Sequence, residues 1–411
     1  MARHGAAIVA LLMLSAGTAT AQTAASRGPA EAAGGQTQPP PSPGGQGQVA
    51  TVSSAAMLAT HIPNLASIDY ATRMTAARMV RRADAAAAVA ALRDTIATHT
   101  DQFVRYRAFI LLSSFNDRQT GAVVRTLLGD RNDRLREAAY KWLELHPDPS
   151  MTASLLAALQ TEVAEFVRPA LVGALAALGS NVQVQRALVP EVTRGVDFFR
   201  AAAIDSLGRH RAAYAVDAIA GVAALDGPLQ DDAVLALGRI GGPRARAALA
   251  AIKNPPAALV PTVRAGQCLA GDACDPIVKS IVEAASAPGA SAAVVRATVT
   301  GLSAMAAGGN YAATGALLTL SSRGGGLRDE SALGFGAAAV RNPDHLLAWL
   351  NAAAAPTRAA AVDLLKQAFE DLEEDFGEEQ FYAATRASYW AAADGSPGRT
   401  LAASLIQTLE F

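Results

Sequence analysis

The chain has 411 residues, of which 51% are apolar but only 5% are aromatic, and its formal net charge is −1 at pH 7. This balanced charge argues against a nucleic-acid-binding protein that relies on an overall positive surface. Alanine supplies much of the apolar content. Because alanine is the best helix former and has a small side chain, the composition predicts an all-α protein of many short, closely packed helices.

Residues 1–21 have the features of a secretory signal peptide. Arg3 precedes an apolar run from Ala6 to Leu14, and the small residues at positions 19–21 predict cleavage before Gln22. This run is too short to span a bilayer, and no later run is long enough to do so. We therefore expect an exported protein, periplasmic or extracellular, with no integral membrane segment after cleavage.

Residues 22–50 are rich in proline, glycine and glutamine and offer little for a core to bury. This composition predicts a disordered linker that acts as a plain spacer. The folded part of the chain is then expected over residues 52–411.

One short motif recurs along this folded part with a period close to thirty residues. Two clear copies are FFRAAAIDSLGRH, which begins at Phe198, and PLQDDAVLALGRIG, which begins at Pro228. Each copy has an apolar residue or Thr, usually followed by Arg, and most have a small or apolar residue four places later. Such a sustained period predicts a stacked repeat array in which each repeat contacts only its neighbours. The aligned pairs are Thr72-Arg73, Val104-Arg105, Leu135-Arg136, Val167-Arg168, Phe199-Arg200, Leu229-Gln230, Val260-Pro261, Val295-Arg296, Leu327-Arg328, Thr357-Arg358 and Thr385-Arg386.

Each repeat is predicted to contain two helices joined by a turn, with the repeat motif on the second helix. An acidic residue such as Asp69, Asp101 or Asp197 stands before that helix, at the position expected of an N-cap. The glycines of two Leu-Gly pairs, Gly208 and Gly238, are assigned to helix C-termini, where glycine adopts a left-handed cap.

The pattern apolar-Arg-x-x-Ala-x-x-Ala-Leu-Gly resembles HEAT repeats, in particular the short repeats named after phycobilisome lyases. The resemblance covers nearly the whole chain beyond the linker and is strongest at Phe199–Gly208 and Leu229–Gly238. It implies a right-handed α-solenoid of about eleven two-helix repeats, whose second helices line the concave side. In such families the recurring arginine pairs with a turn acid of an adjacent repeat. The resemblance implies this structural role for Arg73, Arg105, Arg136, Arg168, Arg200, Arg296 and Arg328.

The arginine row is interrupted in the middle of the array. Gln230 and Pro261 stand where arginine is expected, and the longest spacing between copies follows directly. We expect a local change of superhelix curvature around residues 230–275. Cys268 and Cys274, the only two cysteines, lie in this region. In an oxidising compartment they are predicted to form a disulfide, and a pair of buried thiols is the alternative.

No catalytic, metal or cofactor site is predicted from the motifs. The histidines lack both the His-Glu pairs of iron hydroxylases built on HEAT-like repeats and the spacing of metalloproteases, and each is expected to be an isolated surface side chain. No histidine accompanies the two cysteines as a zinc ligand. The sequence also lacks a Gly-x-Ser-x-Gly nucleophile elbow and a phosphate-binding loop.

The segment FEDLEEDFGEEQFY, residues 369–382, holds seven carboxylates and four aromatic side chains. We assign it to the solvated face of a capping region at about 361–411, because a repeat array must end in a polar surface. A face that docks a partner and a pair of catalytic carboxylates are the alternatives. Residues 361–411 have 3 basic and 10 acidic side chains, a net charge of −7, whereas residues 51–150 have 13 basic and 10 acidic side chains, a net charge of +3.

Together these features predict a non-enzymatic scaffold or adaptor that binds a protein or peptide on the curved surface of a solenoid. Arg78, Tyr106, Arg107 and Lys141 are the candidate partner contacts. One alternative is an enzyme, either a hydrolase or a lyase-type cofactor chaperone, which predicts a deep pocket with convergent polar groups instead of a smooth groove. Another is a structural envelope component whose oppositely charged ends join head to tail. Nucleic acid is not expected as a partner.

Overall fold

The computed structural model describes residues 54–372 and 375–411, and every regular element in this part of the chain is helical. The predicted signal peptide and linker lie outside the described residues. Here 22 α-helices alternate as first and second helices of successive repeats. The first helices are α1 (Ser54–His61), α3 (Ala85–Thr98), α5 (Thr120–Leu127), α7 (Thr152–Thr161), α9 (Val182–Leu188), α11 (Val216–Ala223), α13 (Gly242–Ala251), α15 (Cys274–Ser286), α17 (Tyr311–Ser321), α19 (Pro343–Ala352) and α21 (Asp375–Ala391). The second helices are α2 (Tyr70–Arg82), α4 (Gln102–Ser113), α6 (Asp133–Leu145), α8 (Val167–Ala176), α10 (Asp197–Arg209), α12 (Gln230–Ile240), α14 (Val260–Leu269), α16 (Ala292–Ala307), α18 (Gly326–Arg341), α20 (Ala355–Leu372) and α22 (Pro397–Thr408). Short 3₁₀ helices span Ile62–Ala66, Pro149–Met151, Val189–Val192 and Ala213–Ala215.

The protein is an all-α solenoid. From α4 to α20, each second helix packs against the second helix of the next repeat, and most first helices pack against the second helix of their own repeat. The buried apolar side chains form two clusters, one from Leu58 to Ala270 and one from Leu235 to Phe411. The two clusters share the repeats between Leu235 and Ala270, so both halves of the array contribute buried side chains to this middle region.

The acidic N-caps occur where the turn brings a carboxylate to the start of the helix. Asp69 accepts a hydrogen bond from the backbone N–H of Thr72 at the start of α2, and Asp101 caps α4 in the same way. Asp197 differs, because it is the first residue of α10 and Val196 occupies the cap position. The N-cap prediction is therefore correct for Asp69 and Asp101 and wrong by one residue for Asp197.

Small residues determine how closely successive second helices approach. Gly208 and Gly238 lie inside α10 and α12 and do not have left-handed φ values, so the predicted C-cap role is wrong. A Cβ atom added to Gly208 would lie 2.8 Å from the Cα atom of Ala236. One added to Gly238 would lie 2.7 Å from the carbonyl oxygen of Gly266. The glycine of the repeat motif is therefore the point at which neighbouring helix backbones meet.

Replacing Gly238 with alanine is expected to lower the free energy of unfolding by about 1–3 kcal/mol, because the new methyl group would overlap the backbone of Gly266. The higher helix propensity of alanine, about 1 kcal/mol, offsets only part of this cost. Gly221 in α11 is the matched control, since no atom lies within 4 Å of a Cβ added there. Gly221→Ala should be neutral or stabilising in chemical denaturation. A Gly238→Ala variant as stable as the control would contradict the close helix contact.

The two ends of the array are in contact. Helix α21 packs against α4, and Phe376 of α21 belongs to the hydrophobic cluster of the first repeats. Gln380 donates a hydrogen bond to the hydroxyl of Ser113 at 2.9 Å, and Arg386 donates to the carbonyl oxygen of Ser114 at 2.5 Å. The expectation that only neighbouring repeats touch is therefore wrong. Ion pairs between the basic first repeats and the acidic last repeats contribute to this contact.

The last repeat departs from the predicted register. The aligned pair Thr385-Arg386 lies in the middle of α21, whereas the corresponding pairs of the other repeats lie at or near the start of a second helix. Helices α20 and α21 have 18 and 17 residues, longer than the helices of the other repeats. This extra length allows α21 to contact α18, α19 and α22 as well as α4.

Cys268, near the end of α14, and Cys274, the first residue of α15, form a disulfide with their Cα atoms 4.9 Å apart. The bridge closes the turn between these two helices. The change of curvature expected around residues 230–275 stays a prediction. Among the helices of the described residues, none has both the length and the apolar character needed to cross a membrane.

Candidate functional site

A cavity of about 640 Å³ lies where the two ends of the array meet. This volume is within the range of sites that hold small ligands. Helices α2, α4 and α6 supply one wall, and α20, α21 and residues 408–411 supply the other. The charged lining residues are Arg73, Arg81, Arg107, Arg134, Glu137 and Lys141 on the first wall, and Lys366, Glu370, Asp375, Glu378, Glu379 and Glu410 on the second. A mainly basic wall therefore faces a mainly acidic one.

Helix α2 presents one face to the cavity, at positions spaced by three or four residues. Arg78 lies one residue beyond Ala77, about 100° around the helix, and so it is outside the cavity lining. Its guanidinium group donates to the hydroxyl of Thr75 at 3.2 Å. Of the four predicted contact residues, Arg78 is the one that the fold separates from the others. The residues of α2 that line the cavity are Tyr70, Arg73, Met74, Ala77 and Arg81.

The other three predicted contacts lie together in the cavity. Tyr106 and Arg107 of α4 both bind Asp375 of α21, with oxygen–oxygen and nitrogen–oxygen distances of 3.2 and 2.7 Å. Lys141 of α6 pairs with Glu137 one turn earlier, at 3.1 Å. These residues lie on the second helices of two successive repeats, and contact between the ends of the array brings Tyr106 and Arg107 against α21.

Arg81 and Glu379 form a buried ion pair across the junction, although they are 298 positions apart in sequence. Only 8% of the Arg81 side chain and 1% of the Glu379 side chain are exposed. Burial acts to lower the pKa of Arg81, but the charge and hydrogen bonds of Glu379 outweigh it and raise the pKa. The rings of Tyr382 and Phe411 lie 4.8 and 5.5 Å from the guanidinium carbon. This pair joins α2 to α21.

Burial of Glu379 corrects the interpretation of the acidic segment. Residues 369–382 were assigned to a solvated capping face, yet Glu379 and Asp375 bind arginines of the first two repeats. The signal for this burial is present in the sequence, because Glu379 lies three residues from both Phe376 and Tyr382, on the same face of a helix. A carboxylate within an apolar stripe indicates a buried partner of opposite charge.

The wall around Tyr70 is strongly acidic. Tyr70 is 59% exposed. Partial burial of its hydroxyl raises its pKa, and the negative charges of nearby glutamates raise it further. These glutamates come from α20, α21 and the residues after α22, so the acidic side chains converge on one region of the cavity. They are Glu378, Glu410 and Glu370.

The predicted inter-repeat arginines do not all have the same partners. Three of them bind an acid that precedes the next second helix. These pairs are Arg105–Asp130 at 2.5 Å, Arg136–Glu162 at 2.8 Å and Arg168–Glu191 at 3.6 Å. Arg328 instead donates to Gln367 at 2.9 Å. For Arg296, the side chain of Glu330 is a nearby opposite charge.

A second role of the row is to bind free carbonyl oxygens at the ends of the preceding helices. Arg73 donates to Ser67 at 2.8 Å, and Arg200 donates to Val192 at 3.1 Å. Gln230, which interrupts the row, keeps this contact by donating to the carbonyl oxygen of Ala223 at 3.0 Å. At Gln230 the interruption therefore removes a charge but keeps the hydrogen bond, whereas Pro261 has no side-chain donor for it.

A second group of charges, here called the central charge cluster, lies at or near the C-terminal ends of second helices. Its members are Glu144, Asp205, Arg209, His210, Arg239 and Arg341. Asp205 accepts hydrogen bonds from Arg209 at 2.9 Å, Arg239 at 2.7 Å and Arg341 at 3.1 Å. Burial acts to raise the pKa of Asp205, but the positive charges of the three arginines hold it well below its usual range.

Glu144 completes the central charge cluster. It pairs with Arg209 and lies 2.9 Å from Nε2 of His210, which is therefore not the isolated surface histidine that the sequence suggested. Burial acts to raise the pKa of Glu144, but Arg209 and His210 lower it to about 2. Because Arg341 is 136 positions from Asp205, the cluster connects α6, α10, α12 and α18 across the solenoid.

Sequence reasoning missed the central charge cluster, although Arg209 and Arg239 both directly follow a Leu-Gly pair. Asp232 lies close to the cluster and is 7% exposed. Burial and the negative charges of Asp205 and Asp231 raise its pKa well above the usual value. Among the described residues, no group of three or more His, Cys, Asp or Glu side chains could hold a metal ion.

No protein-family model matches the chain, and the comparison with curated proteins finds no match. The comparison with solved structures finds 77 similar chains. One comes from a study of a phosphorylation switch that controls the interaction between cadherin and beta-catenin. It has 14% sequence identity, covers 86% of this chain and 86% of that chain, and has a TM-score of 0.27. That score is too low to transfer a partner or a function to this protein.

Proposed function

We propose that the protein is an exported scaffold or adaptor, built from HEAT-like repeats, that binds a protein or peptide partner in the cavity between its ends. Export is supported by the sequence pattern of residues 1–21. The HEAT-like assignment is supported by the repeat motif and by ion pairs such as Arg105–Asp130 and Arg136–Glu162.

The observation that carries the proposal is the composition of the cavity at the junction. Tyr70 is exposed in the lining, the buried rings of Tyr106, Phe369 and Phe411 lie behind it, and several arginines line the same cavity. Tyrosine and arginine are enriched at sites that supply most of the binding energy in protein recognition. A polypeptide partner offers both the apolar groups and the charges that such a lining can bind.

An enzyme or cofactor chaperone is the second candidate, because charged side chains from both ends of the array line one cavity of about 640 Å³. The carboxylates Asp375 and Glu379 would be its obvious catalytic groups. Both are engaged in ion pairs that hold the ends together, with Arg107 and Arg81. This arrangement favours binding over acid–base catalysis.

The ion pairs of Asp375 and Glu379 argue against head-to-tail self-association. Arg81 and Arg107 of the first repeats bind Glu379 and Asp375 of the same chain, so these charges are already neutralised within one molecule. We expect a monomer whose size does not change between low and high salt.

Arg134→Glu is expected to weaken capture of the partner about tenfold or more, because Arg134 lines the cavity and its charge would be reversed. The full chain would serve as bait for proteins of the exported fraction, and the affinity of the captured partner would then be measured by calorimetry. Arg118→Glu is the matched control, since Arg118 is also exposed but lies outside the cavity lining. Equal affinities for the two variants would rule out the cavity as the binding site.

A further inference from the structure

We propose that the partner presents to this cavity a peptide segment with both an acidic and a basic side chain. The acidic side chain binds Arg134, and the basic one binds between Glu370 and Glu410. This inference rests on the proposed function and adds the charge pattern of the partner to it.

The basic wall has a cation available for a ligand. Arg107 and Arg81 are neutralised by carboxylates of α21, and Lys141 by Glu137. Arg73 is held by the carbonyl oxygen of Ser67, to which it donates at 2.8 Å. Arg134 differs, because within the described part of the chain neither a carboxylate nor a carbonyl oxygen accepts a hydrogen bond from its guanidinium group. Its guanidinium carbon lies 5.9 and 6.0 Å from the ring centres of Phe103 and Tyr106. These rings lie beside the side chain of Arg134 at the edge of the cavity, and no ion pair with Arg134 occurs among residues 54–372 and 375–411.

The acidic wall also has charged groups without an ion-pair partner among the described residues. Glu370 and Glu410 line the cavity and lie close enough to Tyr70 to raise its pKa. Neither has an ion-pair partner in residues 54–372 and 375–411. Lys366, the only cation of this wall, is four residues before Glu370 on α20, but their charged groups are not within ion-pair distance of each other. The two carboxylates are therefore available for a cation of the ligand.

Desolvation selects a ligand that carries both charges. A neutral occupant would displace water from Arg134 on one wall and from Glu370 and Glu410 on the other. The hydrogen bonds that this water makes to the three side chains would not be replaced, which is costly for charged groups. An occupant with one charge would compensate one wall only. A segment with an acidic and a basic side chain compensates both walls, and its backbone can lie against the aromatic residues between them.

The test uses an array of synthetic peptides in which one Glu and one Lys are placed at varied separations. Matched arrays replace the Glu, the Lys or both by Gln, and one further array replaces the Glu by Lys. The full chain is expected to bind the best mixed peptides about tenfold more tightly than their singly substituted counterparts. Arg134→Glu is expected to shift the preference to peptides in which the Glu is replaced by Lys. Glu370→Gln should reduce the preference for Lys and leave the preference for Glu intact. Arg118→Glu should bind as the unaltered chain does.

The outcomes separate this inference from the proposed function. Peptide binding without charge dependence, or binding of peptides of one sign alone, would overturn the inference and leave the binding function standing. If no peptide binds but Arg134→Glu still abolishes capture of a protein partner, the inference is likewise overturned and the binding function stands. If peptides of every composition fail to bind and partner capture is unaffected by Arg134→Glu, both proposals fail.

Discussion

Asp205→Asn is expected to lower the free energy of unfolding by about 3–5 kcal/mol, the cost of removing one partner from a buried charge network. Asp205 is the common acceptor for arginines of α10, α12 and α18, and its side chain is 17% exposed. Without its charge, Arg239 and Arg341 lose the carboxylate that they bind. Chemical denaturation at neutral pH measures the loss.

Asp217→Asn is the matched control for this prediction. Asp217 pairs with Arg244, but its side chain is 79% exposed, so removal of its charge should change stability by at most about 1 kcal/mol. A loss for Asp205→Asn no larger than for this control would show that the central charge cluster does not hold the solenoid together.

The same cluster predicts acid sensitivity. The pKa of Glu144 is lowered from 4.5 to about 2, and that of Asp205 is also lowered. Groups with lowered pKa values contribute stability above their unfolded-state pKa and lose it as the pH falls toward the folded-state pKa. Stability should therefore decrease between about pH 4.5 and pH 2. Asp205→Asn should make this decrease smaller.

Glu379→Gln is expected to cost a comparable amount, about 3–5 kcal/mol, because Arg81 would remain buried without a counter-charge. The variant should also separate the ends of the array, which small-angle scattering would detect as a larger radius of gyration. Glu283→Gln, an exposed position on α15, should change stability by no more than about 0.5 kcal/mol and leave the radius unchanged. A Glu379→Gln variant as stable and as compact as that control would refute closure through this pair.

The repeat architecture could be predicted from the sequence because every repeat faces the same local problem. A hairpin of two short helices must bury apolar positions against its neighbours, so the spacing of residues such as Phe199, Arg200 and Ala203 recurs. The alternation of first and second helices along the chain follows from this period. The location of Tyr106, Arg107 and Lys141 on second helices follows from the same period, whereas their role as partner contacts stays a prediction.

Contact between the two ends could not be predicted in the same way, because it depends on the angles between successive repeats, added along all eleven of them. Each Gly contact, such as that of Gly238 with Gly266, affects the approach of one pair of helices, and the sequence does not report the resulting angle. The residues that join the two ends stand out in the sequence as an acidic and aromatic segment, but the segment alone does not show which distant residues it contacts. Glu379 belongs to a run of carboxylates typical of a solvated surface, although its helical position between Phe376 and Tyr382 indicates burial.

A double-mutant cycle on Arg81 and Glu379 tests the central claim, that the two ends of the solenoid meet and form the cavity. The free energies of unfolding of Arg81→Met, Glu379→Gln and the double variant would be compared with that of the unaltered chain. If the side chains touch, the two losses should differ from additivity by about 0.5–3 kcal/mol. Losses that add to within about 0.3–0.5 kcal/mol would place the residues in separate parts of an open array and contradict the account.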